Sequence, residues 1–168
     1  MGSEIDFKQF QPKGFPLPLI MPTFSSGKKQ ITLPSIVDSG ADFCTISMSI
    51  GKDALGIDFT RIAPYEVRKE WENLDKGKTK QVNEMIDKII KEKHVIPTFY
   101  ECACGKLTKA FYYPVTIAFG RFKKEILVLW TPAEMQSLLG RTGIFDAVKE
   151  LVFKKGKTFE FIFAESKN

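Results

Sequence analysis

A chain of 168 residues, 43% of them hydrophobic, is the size of one ordinary domain and can bury a core without metal or disulfide staples. Its formal charge of +5 comes from 25 basic side chains scattered among 20 acidic ones, a solvated surface rather than the dense basic stripe with interleaved aromatics that a nucleic-acid footprint needs. Charged residues interrupt every apolar run well before membrane-spanning length, so no membrane partner is expected.

In chain order, residues 15–24 (F-P-L-P-L-I-M-P-T-F) read as an edge-type strand, because prolines remove ladder donors from any central one. A turn over 25–28 then leads to a strand over 30–37 that delivers Asp38 at its end. A short helix is expected over 47–55. Pro64 suits a helix first turn, 65–74 is charged with spaced apolar residues, and Gly77 is a plausible stop. The next helix is better marked: Val82, Met85, Ile86, Ile89 and Ile90 recur at three- and four-residue spacing, and Pro97 lies beyond its end. A β-rich block starts near Val95 and includes strands over 112–119 and 122–130 around a turn at Gly120 and Arg121. A short helix over 145–151, a turn over 154–157 and a last strand over 158–163 complete the chain. The whole, 1–168, reads as a single mainly β domain with a helical hairpin inserted at about 63–96, whose apolar stripe is a packing face.

Three cysteines, of which only Cys102 and Cys104 are close in sequence, fit a reducing compartment better than a disulfide framework. The C-A-C pair is one residue short of the usual zinc spacing, and His94 is the only histidine, so no metal is expected. With no signal-type apolar region at M-G-S-E-I-D, the expected location is cytoplasmic. His94 itself suits a helix-end cation.

Two stretches carry chemistry. In I-V-D-S-G-A-D an acid ends a buried strand, where desolvation costs several kilocalories unless the turn supplies donors, and the following S-G-A offers backbone N–H groups with little steric obstruction. About a hundred residues later comes S-L-L-G-R-T-G-I-F-D, from Ser137 to Asp146.

Together the two stretches resemble the retropepsin-like (retroviral-type) aspartic proteases, which carry a D-[ST]-G-A turn after an apolar strand, then a flap hairpin, then an apolar-apolar-Gly element followed by Arg or Asp and a short helix. The resemblance covers roughly 15–55 and 101–163 and leaves out the helical hairpin. It implies a closed barrel-like β domain in which Asp38 is the catalytic acid, Ser39 bonds across the base of the site, and Gly40 lets the two turns approach. It also implies structural support from Ala41, Asp42, Leu139, Gly140 and Arg141, with Asp42 paired to Arg141 as a buried or half-buried ion pair and Leu138 and Leu139 as core beneath the loops. The flap tip falls at Ala103, Cys104 and Gly105.

Peptide hydrolysis by carboxylates needs one ionised acid to take a proton from water and a second, protonated, to polarise the scissile carbonyl. The chain has one D-S-G, and R-T-G at Arg141 to Gly143 lacks the acid. A second copy of the chain must therefore supply the other aspartate, so the expectation is a homodimeric endopeptidase acting on peptide or protein substrate without cofactor. A rival keeps the fold without turnover, as a peptide-binding or dimerisation module that accepts an extended chain by strand addition. A small-molecule binder built on the same barrel has no sequence feature in its favour.

Overall fold

Prolines divide the first third of the chain. The computed structural model describes residues 4–6, 8–9, 16–74, 78–101, 105, 107–133, 136–154 and 158–163. After β1 (Glu4–Asp6) and β2 (Lys8–Gln9), the expected single strand over 15–24 is three short ones: β3 (Pro16–Leu17), β4 (Leu19–Ile20) and β5 (Thr23–Ser26). Pro18 and Pro22 fall in the breaks, where a residue without an N–H interrupts no ladder. Gly27, at φ +59°, turns β5 into β6 (Lys29–Thr32). The strand expected over 30–37 is likewise divided, because Leu33 and Pro34 end β6 before β7 (Ser35–Val37) begins. The division matters, since β6 lies at one end of the main sheet and β7 next to the other end.

The chain continues through β8 (Cys44–Ser47), α1 (Met48–Asp53), α2 (Tyr65–Glu72), α3 (Thr79–Glu92), β9 (Ile96–Glu101), β10 (Leu107–Phe119), β11 (Phe122–Thr131) and β12 (Ser137–Leu139). A distorted helical turn, α4 (Arg141–Ile144), and a 3-10 turn at Phe145–Ala147 lead to β13 (Glu150–Lys154) and β14 (Thr158–Ile162). The helix expected over 145–151 is therefore only that single turn, and Leu151 belongs to β13, where it pairs with Phe161. Strands β8 and β12 carry too few residues to show a periodicity of their own, and neither is evident in the sequence.

The main sheet runs in the order β4-β7-β12-β8-β11-β10-β5-β6, with β9 also paired to β10. It curls into a half-barrel. Closure of the expected barrel is incomplete among the described residues, since β4 and β6 end the ladder. Its interior holds Phe24, Ile46, Trp130, Leu139 and Ile144, all fully buried, and the Trp130 indole N–H donates to the Tyr113 carbonyl at 3.1 Å. A smaller sheet, β1-β14-β13, joins this core through Phe159 and Phe161.

The helical insertion packs on its own domain. Met85, Ile86 and Ile89 of α3 bury one helical face, with Val67 of α2, against Ile96 of β9 and Leu127 of β11. The helix ends at Lys93, whose left-handed φ of +55° turns its N–H back onto the last carbonyls. His94 follows, 2.6 Å from Glu92.

Because Ile89 is fully buried between α3 and the sheet, Ile89→Ala should cost about 2–5 kcal/mol and lower the midpoint of a single thermal transition. An insertion that melted separately, leaving the main transition in place, would contradict this coupling.

Candidate active site

The turn from Asp38 to Phe43 joins two strands that are not neighbours. β7 and β8 flank β12, which runs parallel to β7 (Leu139 beside Val37) and touches β8 at Leu138 and Thr45. The turn must therefore wrap around the end of β12, and backbone hydrogen bonds hold it there. Asp38 N–H donates to the Leu139 carbonyl at 3.1 Å, Arg141 N–H to Ala41 at 2.9 Å, and Thr142 N–H to Asp42 at 2.8 Å. Beneath them the buried Ser35 hydroxyl donates to Ser137 Oγ at 3.0 Å, tying β7 to β12 at one more level.

Gly140 makes this approach possible. A Cβ there would lie 2.4 Å from both the carbonyl carbon and oxygen of Phe43 and 2.8 Å from the Ala41 oxygen. The resemblance implies close approach at Gly40; within this chain a Cβ on Gly40 would meet only Asp38 Oδ1, at 3.2 Å. The contact between the two turns is thus made at Gly140. Gly40 also bonds within its own turn: its N–H donates to Asp38 Oδ1 at 2.8 Å and fixes one carboxyl oxygen.

Ser39 is exposed at the tip of the turn, and Ala41 is half-buried beside it. Asp42 and Arg141 do meet through Oδ1 and Nη2, but the pair is exposed rather than buried as expected, Asp42 to 71% and Arg141 to 58%. Asp42 borders the cleft while remaining largely exposed. Leu139 is fully buried, whereas Leu138, its neighbour of opposite facing, is half-buried and lines the cleft. Of the flap residues, Ala103 and Cys104 lie outside the described residues, as does Cys102. Gly105 is exposed with φ +77°, between paired strands β9 and β10.

Asp38 opens onto a cleft of about 630 Å³. Its floor is the 38–43 turn with Thr45, Leu129 and Leu138, and one side is β9 from Thr98 to Glu101. The insertion adds Trp71, Leu74 and Val82 to the lining. Tyr112 lies at their junction, its ring 4.8 Å from Phe43 and 5.2 Å from Trp71, the latter edge-on. Burial, with the Asp42 charge nearby, pushes the Tyr112 phenol up to about 12, so it stays protonated. Sequence reasoning does not find Tyr112, Trp71 or Phe43 as site residues; a lone aromatic carries no chemical motif, and these three converge only through pairing and packing. Phe111, on the opposite face of β10, helps line a separate cavity of about 440 Å³ with Met48 and Phe59, away from Asp38.

Cys44 lies directly behind the turn and is fully buried. Burial raises its thiol from 9.0 to about 12, more than the N–H groups of Gly140 and Cys44 lower it. The chain matches no family model, no curated protein and no solved structure in the comparisons made.

Two measurements check this anatomy. Gly140→Ala should cost about 1–3 kcal/mol, since backbone must shift to admit the methyl group, whereas Asp42→Asn should cost only about 0–1 kcal/mol, because solvent screens the exposed pair; thermal melts that reverse this order would refute it. In the native protein at pH 8, Cys44 should resist iodoacetamide and become alkylated only in denaturant, read by peptide mapping. A raised folded-state value means that folding retains the thiol proton, so stability contributed by Cys44 should decline as pH rises above 9.0 toward about 12.

Proposed function

We propose that the chain is a retropepsin-like aspartic endopeptidase whose two catalytic acids are the Asp38 residues of a homodimer. The observation that carries the reading is the Asp38 turn itself: an acid at the end of β7, with one oxygen held by Gly40 N–H, its own N–H bonded to Leu139, and a 630 Å³ cleft in front of it. The D-S-G-A and L-L-G-R stretches, a hundred residues apart in sequence, meet backbone to backbone at this place, which is what their family resemblance implies.

In this mechanism one Asp38 is ionised and its partner copy protonated, because two close carboxylates share one proton. The ionised oxygen takes a proton from water as the water oxygen bonds to the scissile carbonyl carbon, while the protonated acid gives its proton to the carbonyl oxygen. Collapse of the tetrahedral intermediate breaks the C–N bond as one acid protonates the departing amine and a hydroxyl of the gem-diol returns its proton to the other carboxylate, which leaves the dyad with its single proton. The reaction calls on no metal or organic cofactor. An extended peptide suits the cleft, because β9 pairs only with β10 and leaves its other edge available among the described residues for main-chain hydrogen bonds. No helix among the described residues is long and apolar enough to cross a membrane, and the reading places the enzyme in the cytoplasm.

The same open edge favours one other reading, a module that binds an extended peptide without cleaving it. Turnover separates the two. Asp38→Asn should lower peptide hydrolysis by at least about 10²-fold with an unchanged thermal midpoint, since the amide is nearly isosteric but cannot act as a base. Specific activity should fall on dilution below the dimer dissociation constant. Excess Asp38→Asn chains, allowed to exchange subunits with wild type, should suppress turnover per wild-type chain. Freely exchanging chains that retain full activity would end the shared-dyad reading, and peptide binding without hydrolysis in the wild type would favour the module.

A further inference from the structure

The inserted helices are the region of the chain that the protease resemblance leaves unexplained, yet they form one side of the cleft that Asp38 opens onto. Trp71, near the end of α2, is half-buried and lies edge-on to Tyr112, which in turn packs on Phe43 of the Asp38 turn. Leu74 and Val82, on the two sides of the α2–α3 connection, extend the apolar surface along the same wall. This surface is anchored by the cluster it packs against, in which Met85, Ile86 and Ile89 of α3 are buried with Ile96 and Leu127 of the sheet. A volume of about 630 Å³ falls within the ~300–1,000 Å³ usual for preformed ligand sites, where apolar side chains supply the lining and a few polar groups the orientation.

Resting on the aspartic-protease reading of Asp38, we propose that the insertion builds the specificity subsite of this cleft. Trp71, Leu74 and Val82 join Phe43 and Tyr112 in one continuous apolar surface of the cleft, and that surface takes one large apolar or aromatic side chain of an extended peptide. The main chain of that peptide lies along β9, so its backbone is held by the hairpin while one side chain is selected by the helices. Three features make the occupant a peptide side chain: the lining is continuous with the Asp38 turn, Thr98 to Glu101 of β9 border the same space, and the aromatic contacts form a surface fixed in advance by packing. Preorganisation of this kind lowers the ordering cost of binding. Discrimination follows from shape: a small side chain leaves the aromatic wall uncovered, and a charged one must be desolvated against it.

The test is a cleavage profile on a peptide library for wild type, Trp71→Ala and Val82→Trp. Wild type should prefer Phe, Leu or Met over Ala at one position beside the scissile bond. Trp71→Ala should reduce that preference by at least about tenfold in kcat/KM, within the range that apolar pockets discriminate, and Val82→Trp, which fills the pocket, should turn the preference toward small side chains. Preferences unchanged in both variants would overturn the subsite. Should Trp71→Ala fail to fold, Val82→Trp decides. Binding of fluorescent Phe- and Ala-bearing peptides to Asp38→Asn protein, with and without the same substitutions, separates the subsite from the protease chemistry. If wild type hydrolyses nothing, the protease reading fails, while a Phe-over-Ala binding preference lost on Trp71→Ala still supports the subsite. Equal binding of both peptides, or none, refutes it.

Discussion

The structure depends on the threading of β12 between β7 and β8. The short strand Ser137 to Leu139 separates β7 from β8, which are joined by only a short turn, and the turn must pass over the end of the intruding strand. Its backbone groups would otherwise be left unpaired near the core, and an unmet buried donor or acceptor costs about 1–3 kcal/mol. They are met by Leu139, Arg141 and Thr142. Gly140 is the point of least clearance, with backbone so near that no side chain fits. The orientation of Asp38 follows from these constraints: its main chain is tied to Leu139 and its carboxylate to Gly40, so the acid is held by long-range backbone pairing and local turn chemistry together.

The insertion both packs on the sheet and lines the cleft beside the Asp38 turn. Its buried face is helical in period and packs onto the back of β9 and β11. At the margin of the same cluster, Trp71, Leu74 and Val82 border the cleft. One pair of helices thus packs on the sheet and supplies part of the apolar lining of the cleft.

Individual elements differed in how much of them could be read locally. The α3 stripe, Val82 to Ile90, repeats over several turns, and packing retained that pattern with α3 extending to Thr79–Glu92. The long hairpin of β10 and β11 was equally plain around Gly120, although β10 begins earlier, at Leu107. Segments of two to four residues were not legible. Leu19–Ile20, Cys44–Ser47 and Ser137–Leu139 are strands because neighbours pair with them, and the 30–37 stretch divides because its halves pair at different ends of the sheet. The expected burial of Asp42 with Arg141 failed for a related reason. The sequence shows that opposite charges stand in two turns, and solvent exposure depends on which rim of the fold those turns occupy.

What the sequence by itself determined is therefore local and chemical: a mainly β chain, a helical insertion with an apolar face, and an acid followed by small residues at a strand end. Those properties follow from side-chain type, spacing and backbone freedom, all of which act over a few residues. Only the tertiary structure decided that β12 lies between β7 and β8, that Gly140 rather than Gly40 bears the closest approach, and that Trp71, Phe43 and Tyr112 converge beside Asp38. Each of these is a relation between segments tens of residues apart. It is set by the pairing of backbone groups across the sheet and by shape complementarity in the core, and neither is written in the composition of any one segment.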